Sequence, residues 1–212
     1  MTHTNKVYEQ LKRAILVCAL PPGRELRELA LASELGVTRG VVRGALGRLV
    51  ADGLVELRSR KGYRVSPLDL RDVREVFEMR LLLEPYAVEQ AAGHAPREAI
   101  ECLHGLAHSR YDLTDPSGYE RYVVDNREFH VRIADAAGNR RLAHALGSLL
   151  EDMQRLTFLS LGRLSSADQL HEHHHLYDAI LAGDAAAARE VCVQQIEDAR
   201  RRVVDALLGS TT

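Results

Sequence analysis

The 212 residues make a chain of 23.6 kDa, the size of one large domain or two small ones. Apolar residues make up 46% and charged residues 27%, which excludes a wholly disordered chain. The sequence has no apolar run long enough to span a membrane, and residues 1–6 lack the apolar core of a signal peptide. We therefore expect a cytoplasmic protein that does not engage a membrane.

Three cysteines, Cys18, Cys102 and Cys192, lie far apart in the sequence. An odd number without a closely spaced pair excludes a disulfide framework and a cysteine-based zinc finger. We expect these side chains to be small buried filler.

Charge is distributed unevenly along the chain, whose net charge is −2. Residues 1–66 hold twelve basic and six acidic residues, whereas residues 67–212 hold sixteen basic and twenty-four acidic residues. This asymmetry favours contact between the first segment and a polyanion, although chance clustering of surface charge gives the same numbers. We take 1–66 and 67–212 as the two expected domains.

The first domain begins with the pattern of two helices. Apolar residues recur at helical spacing from Val7 to Cys18, and Pro21-Pro22-Gly23 ends that helix. A second helix is predicted at about Glu28–Leu35, with Gly36 as its breaker.

A third helix is predicted to start after Thr38, whose hydroxyl can act as its N-cap, and to end at Asp52-Gly53. Two short helices joined across a glycine turn have the spacing of a helix-turn-helix. Arg39 and Arg43 lie one turn apart on the polar face of the third helix, at the end that a recognition helix presents to base edges. Two solvated arginines are the alternative interpretation.

Alternating residues in 54–58 and 62–65 predict a β-hairpin. Such a hairpin fits a wing whose apolar side covers the helices and whose basic side meets phosphates or the minor groove. Its basic residues are Arg58, Arg60, Lys61 and Arg64.

Combined motifs in this domain resemble the winged-helix domain of GntR-type bacterial transcription regulators. They are Pro21-Pro22-Gly23, Leu35-Gly36-Val37-Thr38-Arg39, Val42-Arg43, Asp52-Gly53-Leu54-Val55 and Gly62-Tyr63-Arg64-Val65. The resemblance implies that Arg39 and Arg43 read operator bases and that Lys61 and Gly62 reach the minor groove. We place Thr38, Arg58 and Arg60 in the same expected DNA-contacting set.

Two features depart from the family pattern. Gly40, Gly44 and Gly47 stand where relatives carry better helix formers, which suggests a helix partly ordered by DNA. Leu29 stands where some relatives have a basic contact residue.

Residues after Ser66-Pro67 lack strand-like alternation and predict an all-α bundle. Breaks at glycine and proline divide it into six helices. The predicted helices are 69–93, 96–110, 116–137, 139–162, 166–182 and 184–208.

Several polar residues fall on the apolar faces of these helices. Since buried polar groups are costly without partners, they need one another or a ligand. For Arg80, an ion pair with Glu84 one turn away is the alternative to binding an organic acid, with His130 and His173 as further donors. For each histidine alone, a hydrogen-bonded core residue is the alternative. The expected effector-binding residues are Arg80, Asn126, His130, His173, Tyr177 and Gln195.

This second domain resembles the effector-binding domain of the FadR subfamily, in its shorter VanR-like branch. The motifs are Phe77-Glu78-Met79-Arg80-Leu81, Phe129-His130, Ala136-Ala137-Gly138-Asn139 and Glu172-His173.

The resemblance implies a divalent metal held by one Asp and three His. His130 and His173 match two of these ligands, but Asn126 and Gln195 occupy the other positions, and neutral amides are weak ligands for Zn²⁺ or Ni²⁺. We therefore expect no firmly bound cofactor, and at most weak binding of Zn²⁺ or Ni²⁺ at His130 and His173.

These observations predict a mainly α protein: a winged helix-turn-helix followed by a bundle that binds an effector and dimerises. Its expected partners are double-stranded operator DNA, a small organic acid and a second copy of the chain. Repression relieved by the acid is the common behaviour in the family. Three alternatives are a direct metal sensor, an enzyme using His130, His173 and Glu84 as acid and base, and an architectural DNA binder without a ligand.

Overall fold

The computed structural model describes residues 2–59, 61–111, 115–160 and 166–209. The chain divides into two compact units, Met1–Leu68 and Asp69–Thr212. The first unit combines short helices with a small sheet, and within its described residues the second unit is helical.

The first unit is a winged helix-turn-helix. Its helices are α1 (His3–Leu16), α2 (Glu28–Leu35) and α3 (Arg39–Ala51). Its strands β1 (Glu25–Leu26), β2 (Val55–Arg58) and β3 (Gly62–Val65) form an antiparallel sheet in the order β1-β3-β2.

Local sequence signals account for the helix-turn-helix. Gly36 ends α2 with φ +64°, a left-handed conformation that glycine adopts without strain. Thr38 Oγ1 then accepts a hydrogen bond from the Val41 N–H at 3.4 Å and caps α3. Val42, Ala45, Leu46 and Leu49 form the buried face of α3.

The strand β1 was absent from the sequence prediction. Only two residues long, it pairs Leu26 with Tyr63 on β3 and buries Leu26 in the core. A segment this short contains no alternation, so its pairing depends on the tertiary structure rather than on a local pattern.

The glycines of α3 are accommodated in a continuous helix. A Cβ atom on Gly44 would lie 3.1 Å from Thr4 Cγ2, so this glycine allows α1 to pack closely against α3. A Cβ atom on Gly47 would meet nothing within 4 Å. The packing of α1 therefore explains a glycine at position 44, whereas Gly47 only lowers the helix propensity of α3.

The second unit is a bundle around α4 (Leu70–His94), which packs against α7, α8, α9 and α10. Its other helices are α5 (Arg97–Glu101), α6 (His104–Ala107), α7 (Pro116–Ala136), α8 (Arg140–Ser160), α9 (Ser166–Leu181) and α10 (Ala185–Gly209). Asp69 and Asp72 form a capping box at the start of α4. No helix within the described ranges is long and apolar enough to cross a membrane.

The predicted helix 96–110 is wrong, since this segment forms the two short helices α5 and α6. At the junction the Leu103 N–H bonds to the Ile100 carbonyl oxygen at 2.8 Å, one residue short of an α-helical bond. This tighter turn leaves both Ile100 and Leu103 buried in the core. The helix is thus interrupted at the point where these two apolar side chains are buried.

We predict that Gly47→Ala stabilises α3 by about 1 kcal/mol, because alanine has the higher helix propensity and the space is open. The measurement is hydrogen exchange of the α3 amides in the full chain, where this gain slows exchange about fivefold. Gly44→Ala is the matched control, since its new methyl group presses on Thr4. Equal protection in the two variants would contradict the prediction.

Candidate effector site and nucleic-acid interface

A small polar cavity lies within the bundle. It has a volume of about 30 Å³, enough for about two water molecules. Five of the six predicted effector-binding residues line it, drawn from α4, α7, α9 and α10. The lining residues are Arg80, Tyr122, Asn126, His130, Met153, Thr157, His173, Gln195, Ala199, Arg202 and Val203.

One wall of the cavity is formed by a buried ionic network. Arg80 donates to Glu84 through Nε at 2.5 Å and through Nη2 at 3.3 Å. His130 Nδ1 lies 3.0 Å from the second Glu84 oxygen. The three residues are 2–6% exposed, and Glu84 is the least exposed at 2%. The ion pair considered as the alternative for Arg80 is therefore present.

The network keeps Glu84 ionised despite its burial. Burial alone raises the pKa of this carboxyl group, but the Arg80 charge and the His130 interactions outweigh it and lower the pKa to about 2. Burial lowers the pKa of Arg80, yet the Glu84 charge more than compensates and raises it. Cation and carboxylate thus stabilise one another inside the bundle.

A polar pair, His173 and Asn126, also lines the cavity. His173 Nε2 lies 3.0 Å from Asn126 Oδ1, and because an amide oxygen only accepts, the ring nitrogen is the donor. The His173 ring stands 5.3 Å from that of His130 and 4.5 Å from that of Phe129, centroid to centroid. Burial, reinforced by His130 and Arg80, lowers the pKa of His173 to about 3. The ring is therefore neutral at pH 7.

These residues do not fit the metal site that the family resemblance implies. Among the described residues, no group of three or more His, Cys, Asp and Glu side chains could hold a metal ion. His173 Nε2 donates to Asn126, and the Gln195 side chain is a neutral amide. The two matching histidines therefore belong to a hydrogen-bonded cluster.

Tyr177 stands apart from the other predicted effector-binding residues. Its ring packs edge-on against His104 and His108, with centroid distances of 5.8 and 5.5 Å. Tyr177 follows His173 by four residues on α9, and this spacing predicts that both lie on one face of the helix. In the structure Tyr177 packs beside the short helix α6, whereas His173 contacts Phe129 and His130 on α7. Tyr177 is therefore the one predicted effector-binding residue that does not line this cavity.

Sequence reasoning missed part of the lining. Arg202 lies seven residues after Gln195 on α10, and this spacing of two helical turns is a signal that could have identified it. Thr157 on α8 gives no such signal, because a single threonine on an apolar face is common.

Two arginines near the start of α3, Arg39 and Arg43, share one carboxylate. Glu28, the first residue of α2, accepts from Arg43 Nε at 2.9 Å and from Arg43 Nη2 at 2.8 Å. Arg39 Nη2 lies 3.4 Å from the same carboxylate. Arg39 and Arg43 are therefore brought together on the exposed face of α3 by Glu28, a contact that the sequence did not identify.

The expected DNA-contacting residues of the wing differ in their surroundings. Lys61 and Gly62 are exposed, and Gly62 has φ +86°, which favours glycine at this turn. Arg58 ends β2, while Arg64 is bound to Glu56 on the neighbouring strand at 2.7 Å. Arg60 lies outside the described residues.

Both units match known families of bacterial regulators. Residues 3–65 match the gntR family of bacterial regulatory proteins, and residues 75–198 match the FCD domain. The chain is 30% identical to the HTH-type transcriptional regulator BphR of Paraburkholderia xenovorans, over 90% of this chain and 80% of that protein. It is 28% identical to the HTH-type transcriptional repressor GlaR of Escherichia coli, over 89% and 90% respectively.

A solved structure shares the fold. The chain superposes on a GntR transcriptional regulator from Rhodococcus sp. RHA1 with a TM-score of 0.79, covering 97% of this chain and 99% of that one at 23% identity.

A winged helix followed by an FCD bundle defines a class of transcription regulators, and the matching families are not enzymes. The chain belongs to the GntR family of bacterial transcription regulators and carries an FCD domain.

We predict that acid destabilises the bundle through His173. Because its folded pKa is below the ordinary value of 6.5, the unfolded state takes up this proton first. The stabilisation is complete above pH 6.5 and is lost as the pH falls toward 3. Between pH 6.5 and 5 the loss is about 2 kcal/mol.

Urea unfolding followed by circular dichroism at both pH values measures this loss. His173→Gln keeps a donor for Asn126 but cannot titrate, so its free energy of unfolding is expected to fall less. The same pH dependence in both proteins would contradict the assignment.

We also predict that Zn²⁺ and Ni²⁺ bind weakly or not at all, because Asn126 and Gln195 replace two ionic or imidazole ligands. Calorimetric titration of the wild-type chain measures this. In Asn126→Asp/Gln195→His, the restored ligand set is expected to give much tighter binding. Submicromolar binding by the wild-type chain that disappears in His130→Ala would overturn the prediction.

Proposed function

We propose that this protein is a homodimeric repressor whose affinity for operator DNA is controlled by a small organic acid bound in the FCD bundle. The paired arginines at the start of α3 carry the DNA-binding part of the proposal, because arginine reads guanine through two hydrogen bonds. The repressor GlaR, a relative over most of the chain, supports the sign of regulation.

Dimerisation is proposed from the geometry of recognition. One recognition helix covers only a few base pairs, and two copies on symmetric half-sites increase both affinity and specificity. As a regulator of bacterial DNA, the dimer acts in the cytoplasm.

The proposed effector carries a carboxylate. Two cationic side chains, Arg80 and Arg202, line the cavity, and guanidinium groups bind carboxylates in a bidentate manner. His130 and His173 were expected to donate to the acid, but their identified N–H groups face Glu84 and Asn126. Arg80 is likewise bound to Glu84, so an incoming carboxylate competes with Glu84 there, and we assign the acid to the two guanidinium groups because of their positive charge.

The size of the cavity links binding to regulation. A volume of about 30 Å³ is far below the roughly 300 Å³ or more of ordinary ligand pockets. An organic acid must therefore displace part of the wall when it enters. We propose that this rearrangement favours one placement of the two DNA-binding units over another and so releases the operator.

A direct metal sensor is less well supported, because the metal-ligand positions hold Asn126 and Gln195. An architectural DNA binder without a ligand is less well supported, because the FCD bundle holds a polar cavity lined by two arginines.

We predict that Arg43→Ala lowers operator affinity by roughly 1–3 kcal/mol and affects random DNA far less, because a base-reading arginine carries sequence discrimination. The operator is first selected from a random duplex pool with the full chain. Binding to that operator and to random duplexes is then measured at several salt concentrations. Equal losses on both DNAs would remove Arg43 from base readout.

We predict that acid binding depends on the Arg80 cation. Removing Arg80 alone leaves Glu84 as a buried charge, which costs about 3–5 kcal/mol, so Arg80→Met/Glu84→Gln is the informative variant. A panel of small organic acids is screened by thermal shift and by release of operator DNA. The double variant is expected to fold and bind DNA without responding; an unchanged response would exclude Arg80 from the site.

A further inference from the structure

The shared carboxylate of Glu28 has a specific orientation relative to Arg43. A guanidinium has a side edge, formed by Nε and Nη2, and an end edge, formed by Nη1 and Nη2. Glu28 occupies the side edge, through the bonds at 2.9 and 2.8 Å. The end edge still carries two parallel N–H groups, the number needed to grip guanine O6 and N7.

Glu28 also restricts the motion of both arginines. Their side chains are about 60% exposed, whereas that of Glu28 is only 17% exposed. A long exposed side chain loses rotamer freedom when it binds, and this loss is smaller when a fixed partner already holds it. The bidentate contact thus prepares Arg43 for base reading before DNA arrives.

The carboxylate has an opposite effect on contacts with phosphates. The hydrogen bond from Arg43 lowers the pKa of Glu28, so the group is ionised at pH 7. Glu28, Arg39 and Arg43 together carry a single positive charge. A phosphate near this cluster is repelled by Glu28, whereas the neutral edge of a guanine is not.

We propose that Glu28 is a positioning residue for sequence discrimination: it aims Arg43 at base edges and weakens binding to DNA of random sequence. The inference rests on the proposed function, since it requires that Arg43 reads bases. It adds a residue outside the recognition helix whose negative charge lowers total affinity and raises specificity.

Glu28→Gln tests the proposal because it removes the charge and keeps the size of the side chain. Binding is measured with the full chain, on the operator selected by the wild-type protein and on a random duplex of equal length. Glu34→Gln is the matched control, an exposed residue on the same helix with the same change in net charge. Circular dichroism confirms that each variant is folded.

We expect Glu28→Gln to bind random DNA roughly three- to tenfold more tightly. Its salt dependence is expected to steepen by about 0.9 for each arginine that moves to a phosphate. Operator affinity is expected to stay level or fall, so the ratio of operator to random binding decreases. An unchanged ratio, or the same change in Glu34→Gln, would overturn the proposal.

Two further variants separate the parts of the proposal. Glu28→Asp keeps the charge but shortens the side chain. Its affinity for random DNA is therefore expected to stay as low as that of the wild type, while its operator affinity falls. In an Arg43→Ala background, Glu28→Gln is expected to lower operator discrimination less than in the wild type, because only the contact with Arg39 and the repulsion of phosphates remain. A loss of discrimination as large as in the wild type would show that Glu28 does not act through Arg43.

The experiment distinguishes failure of this inference from failure of the proposed function. If Arg43→Ala lowers discrimination and Glu28→Gln does not, only the role of Glu28 is wrong. If no sequence is enriched by the wild-type chain, or if Arg43→Ala leaves discrimination intact, the proposed base reading itself is wrong.

Discussion

The ionised carboxylate of Glu84 is the constraint around which the bundle is organised. A buried charge of this kind is stable only when partners on adjoining helices replace the water it has lost. Arg80 supplies the countercharge from the preceding turn of α4 itself, and His130 supplies a hydrogen-bonding nitrogen from the adjoining helix α7. Packing of α4 against α7 is therefore tied to an electrostatic requirement as well as to apolar burial.

A similar arrangement occurs in both units. Glu28 holds Arg39 and Arg43 on the winged helix, and Glu84 holds Arg80 in the bundle. In each case a carboxylate of the protein itself contacts arginines that the sequence predicts to bind DNA or the effector. The carboxylate fixes the orientation of the guanidinium. It also competes with an external anion for that guanidinium, so the charge of a ligand alone does not decide whether it binds.

Elements with a local signal could be predicted from the sequence. The glycine turn, the Thr38 cap and the apolar stripe of α3 are examples, since each depends on residues close together in the chain. The interruption between α5 and α6 depends on tertiary burial, and β1 depends on a partner strand. Helical spacing predicted that His130 and His173 face one binding site, and both line the cavity. It could not reveal Glu28, because this residue contacts Arg43 only through the packing of α2 against α3.

The bond between His173 and Asn126 fixes the position of a proton. With the proton on Nε2 and the ring neutral, Nδ1 of His173 is left with a lone pair. The neutral His173 ring can therefore accept a further hydrogen bond at Nδ1, but it has no second N–H to donate.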